Sequence, residues 1–325
     1  MKAILCTHYG TPDDLVFTDI PDPVAAPGEA IVRVQAVGLN FFDTLIIAGK
    51  YQRKPSFPFS PGAEFAGTVE SLGAGVTSLK IGDRVMGYEG NASTAREKVA
   101  VSAERLIKMP DGLDFDRAAG LSVTYGTTLY ALKDRGDLKP GETLAVLGAS
   151  GGVGVAAIEV GKLMGARVIA CASSPEKLAF ARDHGADECI DYSKEDLKEA
   201  LRRVTGGRGV DVIYDPVGGP FAEPALRAIA WLGRYLVIGF AAGDIPKIPF
   251  NLMLLKNCDV RGVLWGGWTE HDVDGHRANT RQLLDWLAEG KLSPHIQAVY
   301  PLAETAAALK AIAARQVMGK VILRP

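Results

Sequence analysis

Apolar residues follow two different patterns along this chain. From Met1 to about Ala118 they form short runs cut by Pro and Gly, as in AIVRVQAVG from Ala30 and FAGTVESLG from Phe65. Such runs, bounded by turn chemistry at Pro21-Asp22-Pro23, Pro27-Gly28, Pro61-Gly62 and Gly82-Asp83, predict short strands closing into a barrel or partial barrel. From about Leu121 to Leu255 strand-like runs alternate with helical periodicity, the βαβ pattern of a parallel sheet covered on both faces. The expected strands are 143–147, 167–171, 210–214 and 235–238, and the expected helices are 155–164, 176–184, 194–203 and 221–232. Beyond them the chain turns strand-like at 299–302, is amphipathic over 303–314 and closes on an apolar run at 319–323, which predicts a return to the first domain.

A chain of 325 residues exceeds one ordinary core, so two domains are expected. With 47% hydrophobic and 23% charged residues it belongs with soluble globular proteins rather than disordered ones. The 36 basic residues nearly cancel the 38 acidic ones, leaving a net charge of −2 and no electrostatic footprint for nucleic acid or an anionic membrane. A small molecule is the expected partner. Cys6, Cys171, Cys189 and Cys258 are widely spaced, with neither a C-x-x-C pair nor a Cys/His cluster, so no disulfide framework or zinc site is expected and a reducing cytoplasm fits. The five histidines show no ligand spacing, and no signal segment or membrane span is expected.

The strongest motif is Gly148-Ala149-Ser150-Gly151-Gly152-Val153-Gly154, which follows the strand-like run 143–147 and opens a helix. Glycine lets the backbone turn sharply and approach a pyrophosphate closely, while the helix start offers N–H donors and partial positive charge. Gly151, Gly152 and Val153 are the candidate contacts. In an NAD site the next strand ends on an acid that binds the adenosine ribose. Here it ends Ile169-Ala170-Cys171-Ala172-Ser173-Ser174-Pro175, so no carboxylate would repel a 2′-phosphate, and Ser174 with Lys177 would accept one. The expected cofactor is therefore NADPH. Ser174 also suits a plain helix N-cap, and Lys177 a solvated lysine in the first turn.

Together with Gly38-Leu39-Asn40-Phe41-Phe42-Asp43, Pro61-Gly62-Ala63-Glu64-Phe65-Ala66-Gly67, Gly82-Asp83-Arg84-Val85, Asp215-Pro216-Val217-Gly218-Gly219 and Gly319-Lys320-Val321-Ile322-Leu323, this turn makes the chain similar, end to end, to the zinc-independent quinone oxidoreductase (zeta-crystallin-like) branch of the medium-chain dehydrogenase/reductase superfamily. The resemblance implies an α/β protein with a GroES-like partial β-barrel catalytic domain over 1–120 plus 266–325. A Rossmann doubly wound parallel sheet over 121–265 would bind NADPH, with the nicotinamide between the domains and a homodimer joined through Rossmann edge strands. Zinc-dependent relatives hold their catalytic metal at positions that here are Asn40, Ala63 and a residue near Ala119, and the segment 85–99 carries no cysteine lobe, so no metal is expected.

Carried over by resemblance, Asn40 lies beside the nicotinamide, with Asp43 capping or bracing the same segment. Thr124 and Thr128 meet the nicotinamide half, and Ser174, Lys177 and Tyr192 hold the 2′-phosphate. Val217, Phe240 and Leu264 face the cofactor from strand ends, and Lys320 lies beside it. Some relatives place a Tyr two residues after the Asn-x-x-Asp aspartate. This chain has Leu45 there, and Tyr51 is the replacement candidate for a proton donor, or else a surface aromatic. The implied reaction is metal-free hydride transfer to a quinone. Relatives that reduce 2-enals, acrylyl acids or enoyl thioesters supply an alternative, to which Lys50, Arg53 and Lys54 add a hint of a basic groove. An NADPH-binding crystallin-like or regulatory protein with little turnover is a third reading.

Overall fold

The computed structural model describes residues 1–90 and 93–325. Its strands are β1 (Lys2–Leu5), β2 (Val16–Asp19), β3 (Glu29–Leu39), β4 (Glu64–Leu72), β5 (Arg84–Tyr88), β6 (Lys98–Ser102) and β7 (Leu106–Lys108), then β8 (Thr143–Leu147), β9 (Arg167–Ala172), β10 (Glu188–Asp191), β11 (Val210–Asp215), β12 (Ile229–Val237) and β13 (Asp259–Gly262), and last β14 (Ile296–Pro301) and β15 (Lys320–Arg324). They divide between two compact units, Met1–Val123 with Thr280–Pro325, and Thr124–Asn279.

In the first unit a sheet runs β14-β15-β3-β4-β5-β7, with β6 also paired to β3. Along β3, Arg33 and Gln35 reach solvent while Val32, Val34 and Ala36 are buried, so the strand presents an apolar face inward. That face meets Phe65 and Val69 of β4, Val99 and Val101 of β6, and Leu309, Val321 and Leu323 of the C-terminal segment. The core of this unit is thus incomplete without the last part of the chain. The run expected at 319–323 is β15, antiparallel to β3 through Val321↔Leu39 and Leu323↔Val37.

The second unit is a six-stranded sheet in the order β10-β9-β8-β11-β12-β13. Every neighbouring pair is parallel. Each strand of such a sheet needs a crossover, and helices cover both faces, which is why β8 is buried from end to end. This is the Rossmann strand order, with the chain reversing direction across the sheet between β8 and β11.

The helix expected over 155–164 is Gly152–Leu163, and boundaries differ in two further places. The apolar period over 221–232 predicts one helix, but the helix is Ala222–Arg227 and the chain is already in β12 from Ile229. Pairing with β11 wins over periodicity. Val210 pairs with Ile229 and Val212 with Arg234, so the residues between them bulge, and Leu232 adopts a φ of +62°. Second, the helix expected from 194 begins at Leu197, because the Asp196 side chain accepts the Glu199 N–H at 2.9 Å and caps it there.

Candidate functional site

Strand β8 delivers the chain into Gly148, whose φ of +58° lies in the left-handed region. A Cβ at Gly148 would stand 2.8 Å from Cγ2 of Val217, and one at Gly154 only 2.3 Å from the Gly148 carbonyl oxygen. Any side chain at either position would spring the turn. At Gly151, the N-cap of the helix Gly152–Leu163, a Cβ would meet nothing closer than 3.5 Å, so space lies open over the helix start. The first-turn N–H groups of Gly152 and Val153 have no acceptor within their own helix. Ala149 N–H donates to the Cys171 carbonyl at 3.1 Å, tying the turn to the end of β9.

The loop after β11 forms the other wall. Asp215 Oδ1 accepts the N–H groups of Val217 at 2.7 Å and Gly218 at 2.8 Å, while the Tyr235 hydroxyl donates to Oδ2. Burial raises the Asp215 carboxyl above its usual range against those bonds. Val217 is thereby held against Gly148, and Phe240 against Gly218, where a Cβ would lie 2.8 Å from its ring. Thr128 is fully buried behind the turn, its hydroxyl 2.9 Å from the Tyr214 hydroxyl and 3.4 Å from the Val153 carbonyl oxygen. Asp215 belongs to a motif quoted from the sequence, yet its capacity to set the loop was not readable there.

At the tip of β9 three further candidates come together. The Ser174 hydroxyl oxygen accepts the Lys177 N–H at 3.3 Å, capping the helix Pro175–Asp183. Tyr192 N–H donates to the Ala172 carbonyl at 3.1 Å, and its ring packs on Phe221 with centroids 4.3 Å apart. The Asp191 carboxylate turns away into its own turn, accepting the Ser193 N–H at 3.0 Å. Thr124 is buried at the start of the helix Thr124–Leu129. Leu264 is 68% exposed at the N-cap of the helix Trp265–His271.

Asn40 and Lys320 meet in the first unit, with a partner the sequence did not single out for chemistry. Lys320 Nζ donates to the Leu39 carbonyl at 2.9 Å, Asn40 Oδ1 at 2.8 Å and Glu64 Oε1 at 2.7 Å. Asn40 Nδ2 donates to the same Glu64 oxygen at 2.8 Å, and the Val123 N–H donates to its other oxygen at 2.7 Å. Lys320 is 3% exposed and Glu64 0%, so the ion pair is fully inside. Beside it Asp43 forms a capping box with Asn40, accepting the Asn40 N–H at 2.7 Å and the Gly62 N–H at 3.1 Å. Burial pushes the Asp43 carboxyl up to about 7, against those two bonds and the attraction of Lys320. Tyr51 stacks on Phe42 with centroids 5.6 Å apart, and burial raises its phenol further from ionisation, keeping it an O–H donor at neutral pH.

Two measurements test this cluster. Lys320→Met should destabilise the protein by about 3 kcal/mol or more in urea unfolding, because Glu64 is left buried without its counter-charge. Adding Glu64→Gln should restore most of that loss, and a double variant no better than the single one would refute the pairing. For Asp43 the folded state holds a proton that the unfolded state releases near pH 4. Its contribution to stability is therefore largest in acid and falls as pH rises from about 4 to about 7. Relative to wild type, Asp43→Asn should lack that downward slope, and parallel pH profiles would count against it.

A family model described as zinc-binding dehydrogenase matches residues 152–289, and one described as alcohol dehydrogenase GroES-like domain matches 26–111. The chain is 38% identical to the quinone oxidoreductase-like protein 2 homolog of Nematostella vectensis, over 99% of this chain and 88% of that one. It is 34% identical to a quinone oxidoreductase of Pseudomonas aeruginosa over 100% and 99%. Among solved structures, Escherichia coli quinone oxidoreductase complexed with NADPH superposes with a TM-score of 0.94 at 28% identity over 100% of both chains. A 2-haloacrylate reductase superposes at 0.88 with 29% identity, covering 100% of this chain and 99% of that one. The residues around Asn40 do not fit the zinc that the first family description names. Among the described residues no group of three His, Cys, Asp or Glu could hold a metal, and the Glu64 carboxylate already has the Lys320 ammonium against it. On these matches the chain belongs to the quinone oxidoreductase branch of the medium-chain dehydrogenase/reductase superfamily.

Proposed function

We propose that this chain is an NADPH-dependent, metal-free reductase that passes hydride to a quinone. The observation that carries the reading is the Lys320–Glu64–Asn40 cluster, in which the Glu64 carboxylate and the Asn40 amide are already bonded to an ammonium. NADPH supplies the hydride when bound. Gly151, Gly152 and Val153 would hold its pyrophosphate at the open helix start, with Val217 and Phe240 as the facing wall. The acid-free tip of β9, with Ser174, Lys177 and Tyr192, would take the 2′-phosphate. Asn40 has both ends of its amide fixed, by Lys320 on Oδ1 and Glu64 on Nδ2, so it would serve as a rigid polar wall beside the nicotinamide rather than as a proton carrier. Tyr51 would donate the proton to the developing oxyanion. Reduction of an activated C=C bond is the second reading, favoured by the likeness to 2-haloacrylate reductase.

Anaerobic stopped-flow loss of NADPH absorbance, with quinones on one side and 2-enals and 2-haloacrylates on the other, tests both readings. Faster turnover of quinones supports the first, and silence with every acceptor alongside tight NADPH binding would leave a nucleotide-binding protein. Lys177→Ala should lower kcat/KM for NADPH about tenfold and leave that for NADH unchanged, and an equal loss with both would remove Lys177 from the 2′-phosphate site.

The partner chain is proposed to be a second copy, docked through β13. That strand is an edge of its sheet, and nearby side chains carry exposed apolar surface, Phe250 at 84% and Leu254 at 79% among them. Light scattering should give twice 34.5 kDa, falling to one chain for Leu254→Asp. A wild-type mass of one chain ends the proposal.

A further inference from the structure

Arg96 is a partly buried arginine that, among the described residues, has neither a carboxylate nor a carbonyl as acceptor. Its Nε and Nη2 both donate to the Ser60 hydroxyl oxygen, at 3.2 and 2.9 Å, and Ser60 is itself fully buried. Arg234, by comparison, is met by the Glu142 carboxylate, and Arg84 by the carbonyls of Pro110 and Leu113 with the Phe115 ring on its face. A desolvated cation without an anion is costly, and burial alone acts on the Arg96 guanidinium, pulling its pKa down with no carboxylate opposing it. Because Ser60 holds one edge of the guanidinium, Nη1 remains for whatever lies on the other side.

Arg96 also lines a recess of about 450 Å³ within the first unit. Lys54, Ser56, Ser93 and Arg96 line it above Pro58 and Phe59. Among the described residues neither Lys54 nor Arg96 has a carboxylate partner, and no acidic side chain enters the lining. Two cations and two hydroxyls around an acid-free space match the donor demand of a phosphoryl group, whose oxygens accept more bonds, from more directions, than the two of a carboxylate. The residues belong neither to the 148–154 turn nor to the Asn40 cluster. We propose that this recess is a second anion site, which binds a phosphate monoester, either as the free ion or as the terminal group of a larger ligand. The inference stands independently of the acceptor that the hydride reaches.

A ³¹P NMR titration of the whole protein with inorganic phosphate and with phenyl phosphate tests it. Lys54→Ala should weaken binding about threefold and Arg96→Gln about tenfold or more, while Ser174→Ala/Lys177→Ala leaves this binding as it was. Lys54 is exposed, so its variant is readable even where Arg96→Gln perturbs folding. Tighter binding of phenyl phosphate assigns the recess to a larger ligand, and equal binding assigns it to the free ion. No binding by wild type, equal binding by Lys54→Ala and Arg96→Gln, or loss only in the Ser174/Lys177 variant overturns the proposal.

Discussion

The buried pair of Lys320 and Glu64 is the constraint around which the first unit is organised. Its two members come from β15, at the end of the chain, and from β4, and the remaining acceptors and donors come from Leu39 and Asn40 at the C-terminal end of β3 and from the Val123 backbone. A charge removed from water demands a partner in good geometry, and here both ions are fully hydrogen-bonded. Such a pair contributes little net stability compared with apolar residues of the same size, whereas losing one member is expensive. Its effect is therefore on register. Lys320 reaches Leu39, Asn40 and Glu64 only when β15 lies against β3 as Val321↔Leu39 requires, because moving a strand by one residue turns every side chain to the other face.

The second unit depends on a steric constraint instead. Gly148 and Gly154 leave no room for a Cβ, and the wall that crowds Gly148 is Val217, set in place by the Asp215 carboxylate. The open helix start and the loop after β11 therefore share one determinant. A carboxylate buried under a loop, as Asp215 is, fixes where the backbone can go more firmly than packing alone.

What the sequence made legible follows from how local each feature is. Glycine and proline punctuation separated the two regimes, and the turn 148–154 could be read because strand, glycines and helix start are contiguous. The helix expected over 221–232 stops at Arg227 because pairing of β12 with β11 is a tertiary fact that an apolar period cannot report. Asn40 and Lys320 were named separately, each from resemblance, but their union was invisible: they lie 280 positions apart, and Glu64 lies 256 from Lys320. Lysine and glutamate are ordinarily surface residues, so nothing in their identity announces a buried pair.

On the proposed reading, that pair also explains the kind of acceptor. A metal offers an open coordination position that can bind and polarise an alcohol oxygen. An ammonium already donating to three oxygens offers none, and its charge is balanced by Glu64. The site can then steady a dipole at Asn40 but cannot strip a proton from an alcohol by Lewis acidity. Chemistry is left to the substrate's own electrophilicity, which quinones and activated alkenes possess and simple alcohols lack. The lysine that closes the fold is, in this view, the same residue that narrows the reaction.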